Sequence, residues 1–313
     1  MADSLQILLA TFNGERYLKE QLDSLFSQTY QEWLLIIHDD NSTDGTVNIV
    51  LRYLKRYPDK IIYIDDDKCF GSASGNFSFL LHQANADYIM FCDQDDAWMP
   101  DKIEKSLRVM KINEQQHPDT PLLLHTDLEI VDDQLNRLST SFWKYHYIDP
   151  NKDALNRLLM QNTATGCTFL MNKQLATMSR NIPDSAIMHD WWITLIASSM
   201  GRIIVLPEPT VYYRQHHTND TGASKFNMKY IISRALPLFL GYEREHKITM
   251  RTIQAQAFHQ RFHAHLGSKQ NELLERFSLL TRVSWLKRCQ MIYRYHFYQI
   301  GLIRNIRLFL PYD

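Results

Sequence analysis

Ala86-Asp87-Tyr88-Ile89-Met90-Phe91-Cys92-Asp93-Gln94-Asp95-Asp96-Ala97-Trp98-Met99-Pro100 decides how the chain is read. Tyr88 to Cys92 is a short apolar run that fits a buried strand. Asp93, Asp95 and Asp96 follow at once, and Pro100 opens an amphipathic stretch, Asp101 to Asn113, with the pattern of a helix. The acids therefore belong on a turn at the carboxyl end of a strand, the edge at which open α/β sheets bind ligands. Three neighbouring carboxylates repel one another unless a cation joins them. Oxygen ligands of this kind suit Mg²⁺ or Mn²⁺. Alone, so short a pattern is equally a solvated acidic turn, and the rest of the chain has to decide.

Working outward, strands and helices alternate. Leu5 to Ala10 is a strand, Thr11 to Glu15 a turn, and Arg16 to Thr29 a helix with Tyr17, Leu18, Leu22, Leu25 and Phe26 on one face. Trp33 to His38 is a second strand, ending in Asp39-Asp40-Asn41-Ser42-Thr43-Asp44-Gly45-Thr46. A helix from Thr46 to Tyr57, a strand from Ile61 to Ile64 and a helix through Asn76 to Ala84 complete the approach to Tyr88. This spacing indicates βαβ units and a mainly parallel sheet. No Gly-x-Gly-x-x-Gly follows the first strand and no Gly-Lys-Ser or Gly-Lys-Thr occurs, which weighs against dinucleotide and P-loop phosphate sites. A bound diphosphate would need another holder, and a metal on Asp93 and Asp95 would supply it. Asp39 could accept a hydrogen bond from a base imide. Plain helix capping and turn formation compete for Asn13, Asp39 and Asp44, and are favoured for Asn41, Ser42 and Thr43.

The 313 residues, 45% of them hydrophobic, suffice for one large α/β domain with an appendage. Cys69, Cys92, Cys167 and Cys289 lack the close spacing of a zinc site or a disulfide framework and suit a reducing compartment. Met1 to Ser4 carries no basic leader pattern, and no apolar run reaches the roughly 20 residues of a membrane span. The net charge of −1 hides an asymmetry: 15 Lys and Arg against 5 Asp and Glu from Ala223 onward, and 19 against 30 before it. An acidic body with a basic tail points to a polyanion or membrane surface met by the tail.

Thr11-Phe12-Asn13-Gly14-Glu15-Arg16-Tyr17-Leu18, the Asp39 to Thr46 turn and Asp93-Gln94-Asp95-Asp96-Ala97-Trp98 together resemble the family-2 inverting glycosyltransferases, over roughly residues 5 to 222. His189-Asp190-Trp191-Trp192 and Tyr213-Arg214-Gln215-His216 are similar in style to the bacterial rhamnosyltransferases among them. The resemblance implies a GT-A catalytic domain over residues 1–222, followed by a basic helical region over residues 223–313. It implies that Thr11, Phe12, Asn13, Glu15, Asp39 and Asn76 serve the nucleotide sugar, although the loop from Lys68 to Gly75 departs from the subgroup's Asn-x-Gly pattern. Asp93 is placed near ribose and diphosphate, Asp95 as principal ligand of Mg²⁺ or Mn²⁺, His216 by the metal or diphosphate, and Arg214 near phosphate oxygens. Thr165, Gly166, Trp191 and Trp192 fall on the acceptor side.

The residues alone favour Asp190 as N-cap of a Trp191 to Met200 helix; the resemblance makes it the general base, a role for which aromatic neighbours would keep its carboxylate basic. Asp127, at the end of a Leu122 to Asp127 strand, is read as structural, and His217 is left unassigned. Beyond Ala223, helices are expected over 226–240, 243–265 and 273–310, broken near Gly241, Gly267 and Gly301. Trp285 to Tyr295 mixes bases with bulky apolar residues, as interfacial helices do, and the competing reading is a helical bundle packed on the catalytic domain. The expected partners are a dTDP- or UDP-linked sugar, L-rhamnose foremost, and a bacterial glycan or lipid-linked acceptor met at the inner face of the cell membrane by a cytoplasmic enzyme, without nucleic acid. A UDP-hexose or UDP-N-acetylhexosamine donor, a nucleotidyltransferase and a non-catalytic glycan-binding protein remain as alternatives.

Overall fold

Seven consecutive buried residues, Leu5–Thr11, form β1, and burial on both faces explains why the stretch is mainly apolar, with only Gln6 and the terminal Thr11 polar. The structure is a computed structural model and describes residues 3–216 and 241–311. β1 pairs in parallel with β2 (Leu34–Asp39) and β4 (Tyr88–Cys92), and β2 with β3 (Ile61–Ile64). Between them lie α1 (Leu18–Phe26), α2 (Thr46–Arg56) and α3 (Ala73–Gln83). The register sets Thr11 opposite Asp39 and Leu9 opposite Cys92, so three polar turns leave one edge side by side.

After β5 (Ala97–Trp98) and α4 (Lys102–Gln116), the sheet continues through β6 (Leu122–Val131), β7 (Arg137–Ser139), β8 (Leu170–Asn172) and β9 (Arg202–Arg214). The order is β3-β2-β1-β4-β8-β6-β9-β5, with β7 beside β6. β8 runs antiparallel to both β4 and β6, while β6 and β9 are parallel. Between Thr126 and Asp127 the β6–β9 register jumps from Leu206 to Pro209, a bulge that absorbs Pro207 and Glu208. β6 therefore extends four residues beyond Asp127, where the sequence pattern ends it.

Alternation along the strands sends Ile7, Leu9, Ile37 and Met90 to one face, against Leu18 and Leu22 of α1, Val50 of α2 and Ile103 of α4. Leu8, Ile36, Ile89 and Phe91 go to the other, against Phe77 of α3 and against α8 (His189–Met200), which follows the short helices α5 (Phe142–His146), α6 (Leu155–Leu158) and α7 (Lys173–Met178). Into this second cluster pack the helices numbered here α9 (Gly241–Phe262), α10 (Ser268–Ser278) and α11 (Trp285–Tyr295), through Phe258, Phe277 and Ile292. The result is a three-layer α/β arrangement. α12 (Leu302–Ile306) follows α11. The expected helix over 226–240 and His217 lie outside the described residues. The stretch 273–310, expected to break at Gly301, also breaks between Ser278 and Trp285 and after Tyr295. No helix among the described residues is long and apolar enough to cross a membrane.

Candidate active site

The turns after β1 and β2 hold one another. Asp39, nearly buried, accepts from the Thr11 hydroxyl (2.7 Å) and from the Ser42 N–H (2.8 Å) and hydroxyl (2.6 Å). Asn13 adopts a left-handed φ of 47°; its N–H donates to Ser42 Oγ (2.7 Å) and its Oδ1 accepts from the Thr43 N–H (2.8 Å). Glu15 accepts from the Gly45 N–H (2.8 Å) at the start of α2, and Asp44 accepts from the Glu15 N–H (3.1 Å). Burial would raise the Asp44 carboxyl, but the Thr46 hydroxyl and N–H hold it below its ordinary range. Phe12 projects from this frame, 54% exposed. Thr11, Phe12, Asn13, Glu15 and Asp39 thus meet in one wall. Asn76 does not join it: its amide is buried and bonded to His38, through Oδ1 to Nδ1 (2.8 Å) and Nδ2 to the carbonyl (3.3 Å). The altered loop before it is held instead by Asp40, which accepts from the N–H groups of Phe70 (2.6 Å) and Gly71 (2.8 Å).

Gln94 ties the acidic turn to the first wall. Its Oε1 accepts from the Phe12 N–H (2.9 Å) and its Nε2 donates to the Phe12 carbonyl (2.8 Å). Gly14 makes room for it, since a Cβ there would lie 2.2 Å from Gln94 Oε1. Asp95 Oδ2 lies 2.8 Å from His216 Nε2, and His216 packs on Tyr17 with ring centroids 4.8 Å apart. Asp96 is buried; its Oδ1 accepts from the Arg214 N–H (3.1 Å), whereas Oδ2 has no partner among the described residues beyond the weak Cys167 thiol. Ligand atoms of Asp93, Asp96 and Cys167 lie within 4.8 Å of one another. Burial, then the charges of Asp95 and Asp93, push Asp96 well above the usual carboxylate range. The orphaned Asp96 oxygen and Asp93 offer oxygen donors that a hard divalent cation fits, whereas Asp95 and His216, expected as ligands beside Asp93, pair with each other and stand outside this group. The edge opens beside His216 into a cavity of about 540 Å³, lined also by Asp132, Asp133, Gln134 and Gln215.

Arg214 departs from the expected phosphate contact. It is fully buried: Nε donates to the Asp95 carbonyl (2.8 Å), the terminal nitrogens bond the Asp133 carbonyl and Glu20, and the guanidinium lies 4.6 Å from the Tyr17 ring centroid. It braces the acidic turn from behind. Lys102, which the sequence left as an ordinary helix residue, is also fully buried. Its Nζ donates to the Cys167 carbonyl (3.1 Å) and lies 4.6 Å from the Trp98 ring, and burial pushes its pKa down to about 8.

On the other side, Asp190 sits in the first turn of α8, whose N-cap is Met188, so the capping role falls away. Its Oδ2 accepts from the Gly166 N–H (3.1 Å). Burial raises its pKa from 3.8 to about 6 against the pull of that bond, the Trp191 N–H and Asn162. The neighbouring His189 lends no positive charge: packed between Phe77 and Phe91, with both ring nitrogens unpartnered among the described residues, it is held neutral by burial at a pKa of about 3. Gly166 must be small, because a Cβ would stand 3.0 Å from His189 Nε2 and 3.2 Å from Asp190 Cβ. Thr165 closes this turn by accepting the Thr168 N–H (3.0 Å) and hydroxyl (2.6 Å) on its carbonyl. Trp191 is half-buried and donates to the Leu158 carbonyl (2.6 Å). Trp192 faces away from any acceptor: it is fully buried against Phe258 and Phe262. Asp127 is structural as expected, accepting from Ser141 and from the N–H groups of Leu128 and Trp143.

Comparison with known proteins agrees with this geometry. The dTDP-rhamnosyl transferase RfbG of Shigella flexneri is 28% identical over 242 residues, 71% of this chain and 76% of that protein. An uncharacterised Mycobacterium tuberculosis protein is 28% identical over 231 residues, which span 63% of its length. Among solved structures, S. aureus TarS (1–349) bound to UDP-GlcNAc superposes with a TM-score of 0.57 at 14% identity, covering 93% of this chain and 73% of that one. The mannosyltransferase PcManGT from Pyrobaculum calidifontis, with GDP-Man and Mn²⁺, gives 0.50 at 14% identity over 93% and 85%. These likenesses identify the GT-A fold. The model described as Glycosyl transferase family 2 matches residues 6–171, and the chain belongs to that family.

Proposed function

We propose that this glycosyltransferase moves L-rhamnose from a dTDP-linked donor to a hydroxyl of a bacterial cell-surface or lipid-linked glycan, in one displacement with inversion. The observation that carries the reading is Asp190, a carboxylate whose pKa lies near 6 at the same sheet edge as the acidic turn. An anion at neutral pH, yet far more basic than a solvated carboxylate, it suits the removal of a proton from an attacking hydroxyl. The Gly166 N–H fixes its orientation, and Thr165, Gly166 and Trp191 border the acceptor's approach. The wall of Thr11, Phe12, Asn13, Glu15 and Asp39 receives the nucleoside, and Asp93 the ribose and diphosphate. Asp95, with Asp93 and His216, would hold Mg²⁺ or Mn²⁺, which neutralises charge on a departing diphosphate when bound. The similarity to RfbG and the His189-Asp190-Trp191-Trp192 motif support rhamnose. TarS carries UDP-GlcNAc, so a UDP-linked donor is the second reading.

A thermal-shift screen of nucleotide diphosphates and nucleotide sugars with Mn²⁺ tests the donor, because binding to the native state raises apparent stability. dTDP-rhamnose should give the largest shift. A larger shift with a UDP sugar would replace rhamnose, and release of diphosphate from a nucleoside triphosphate plus sugar phosphate would replace transfer itself. We place the enzyme in the cytoplasm against the inner membrane face, where a lipid-linked acceptor is reached.

A further inference from the structure

From Arg276 to Tyr312 the chain carries seven Lys and Arg and no Asp or Glu. α11 displays part of that charge beside large apolar side chains that face water. Leu286 is 71% exposed and Tyr293 is 69% exposed. Seven residues apart, two helical turns, they lie on one face with Gln290 between them. Lys287 and Arg294, also seven apart and exposed, flank that ridge on one side, and the exposed Trp285 lies on the other. The opposite face is anchored, with Met291 and Ile292 in the core.

The chain's end widens the patch. The Trp285 indole donates to the Phe309 carbonyl (3.0 Å) and Arg288 to the Leu310 carbonyl (3.2 Å), which lays this segment along α11. Leu310 and Ile306 of this segment also expose apolar surface.

We propose that this face of α11 docks on the surface of a bilayer containing anionic lipid. Leu286, Tyr293 and Trp285 enter the boundary between headgroups and acyl chains, while Lys287 and Arg294 meet lipid phosphates. Charge selects this occupant over a protein. Protein interface cores are depleted in lysine and match charge with charge, whereas α11 itself sets only basic charges beside its exposed apolar ridge, the nearby Glu272 being bonded to the Tyr295 hydroxyl. A helix held on its inner face and bearing bases and aromatic residues on its outer one lies on a membrane without crossing it.

The test uses the full chain and vesicles, without donor or acceptor, so its failure and failure of the transfer reading are separable. Sucrose-loaded vesicles of phosphatidylcholine, alone or with about one third phosphatidylglycerol, are sedimented with the protein. The anionic vesicles should carry the protein down and the neutral ones leave it in solution, and added salt should weaken the binding. Lys287→Gln with Arg294→Gln should weaken it by about twentyfold, near fivefold for each charge. Leu286→Ser with Tyr293→Ser should abolish it. Both pairs are exposed, and an unchanged melting temperature shows that the variants fold. Equal pelleting by both vesicle types, none by either, or variants that bind like the parent would overturn the proposal. So would a dimer in sedimentation velocity that the Leu286→Ser, Tyr293→Ser variant dissolves, since the face would then belong to a second copy.

Discussion

Replacing Asp190 by Asn should remove turnover and, at the same time, stabilise the protein. Burial lifts this carboxyl from 3.8 to about 6. Each pKa unit corresponds to about 1.4 kcal/mol, so the folded protein holds the anion at a disadvantage of up to about 3 kcal/mol relative to the unfolded chain. The sign follows from proton counts. Between pH 3.8 and 6 the native state binds more protons than the unfolded one, so this penalty is complete above pH 6 and disappears as pH falls below 4. Asparagine keeps an acceptor for the Gly166 N–H and carries no charge. The Asp190→Asn variant should therefore exceed the parent by up to about 3 kcal/mol at pH 8, and match it near pH 4. Urea titrations at the two pH values measure this difference. Transfer should fall by about 10²- to 10⁴-fold, and in the parent kcat/KM should drop tenfold per pH unit below about 6. A variant that is less stable than the parent at pH 8, or that retains transfer, would refute both the buried anion and its role.

Five other substitutions, in four experiments, probe the frame. Gly14→Ala should weaken donor binding by driving Gln94 from Phe12, and adding Gln94→Ala should relieve the clash and recover part of the stability lost, about 1–3 kcal/mol for such overpacking; donor titration and urea melts report the two effects. Arg214→Met leaves two carbonyls without their buried donor, while the half-exposed Glu20 turns to water, so stability should fall by about 1–3 kcal/mol in denaturant titrations. Trp192→Ala should lower stability by about 3–5 kcal/mol through the cavity it opens against Phe258, while the KM for acceptor in the folded fraction stays unchanged. Asp95→Asn should erase the Mn²⁺-dependent part of the donor's thermal shift, which at a hundredfold excess over Kd corresponds to about 2.7 kcal/mol in the parent; an EDTA-treated parent should behave the same way.

Much of this site is legible in the sequence because β1, β2 and β4 are buried on both faces. Their apolar runs end where the chain reaches the sheet's edge, and the polar residues that follow are at once conspicuous. The missed elements share a cause. β9 hides because Pro207 and Pro209 break strand alternation, and only the bulge opposite Asp127 lets the pairing resume. Lys102 reads as a solvated residue at a helix start, while its partner carbonyl, on Cys167, is 65 positions away. Arg214 was drawn toward phosphate by its motif, whereas Glu20, 194 positions distant, claims it. Trp192 is different, for a signal existed. Adjacent helical residues point about 100° apart, so Trp191 and Trp192 could not both face an acceptor once the stretch was read as helix.

The acids at this edge divide by what surrounds them. Asp39, Asp40 and Asp44 receive N–H and hydroxyl donors from neighbouring loops, and with those bonds they fasten the turns after β1 and β2 and the loop before α3. Burial raises both Asp96 and the half-buried Asp190: Asp96 has one oxygen with no partner among the described residues beyond the weak Cys167 thiol, and Asp190 is raised against the pull of the Gly166 and Trp191 N–H groups and Asn162. A fold can satisfy every acid it buries, so those left unsatisfied mark where a ligand is expected to complete the set. Asp96 lies among carboxylates, where a cation would relieve it. Asp190 lies beside a neutral His189, and the Gly166 and Trp191 N–H groups with Asn162 do not cancel the cost of its desolvation. On the proposed function, the neutral surroundings of Asp190 would suit taking a proton from a hydroxyl, and the negative charge around Asp96 would draw a cation to the acidic turn. The bonded acids hold the two at fixed positions, which is what a single displacement between a donor and an acceptor requires.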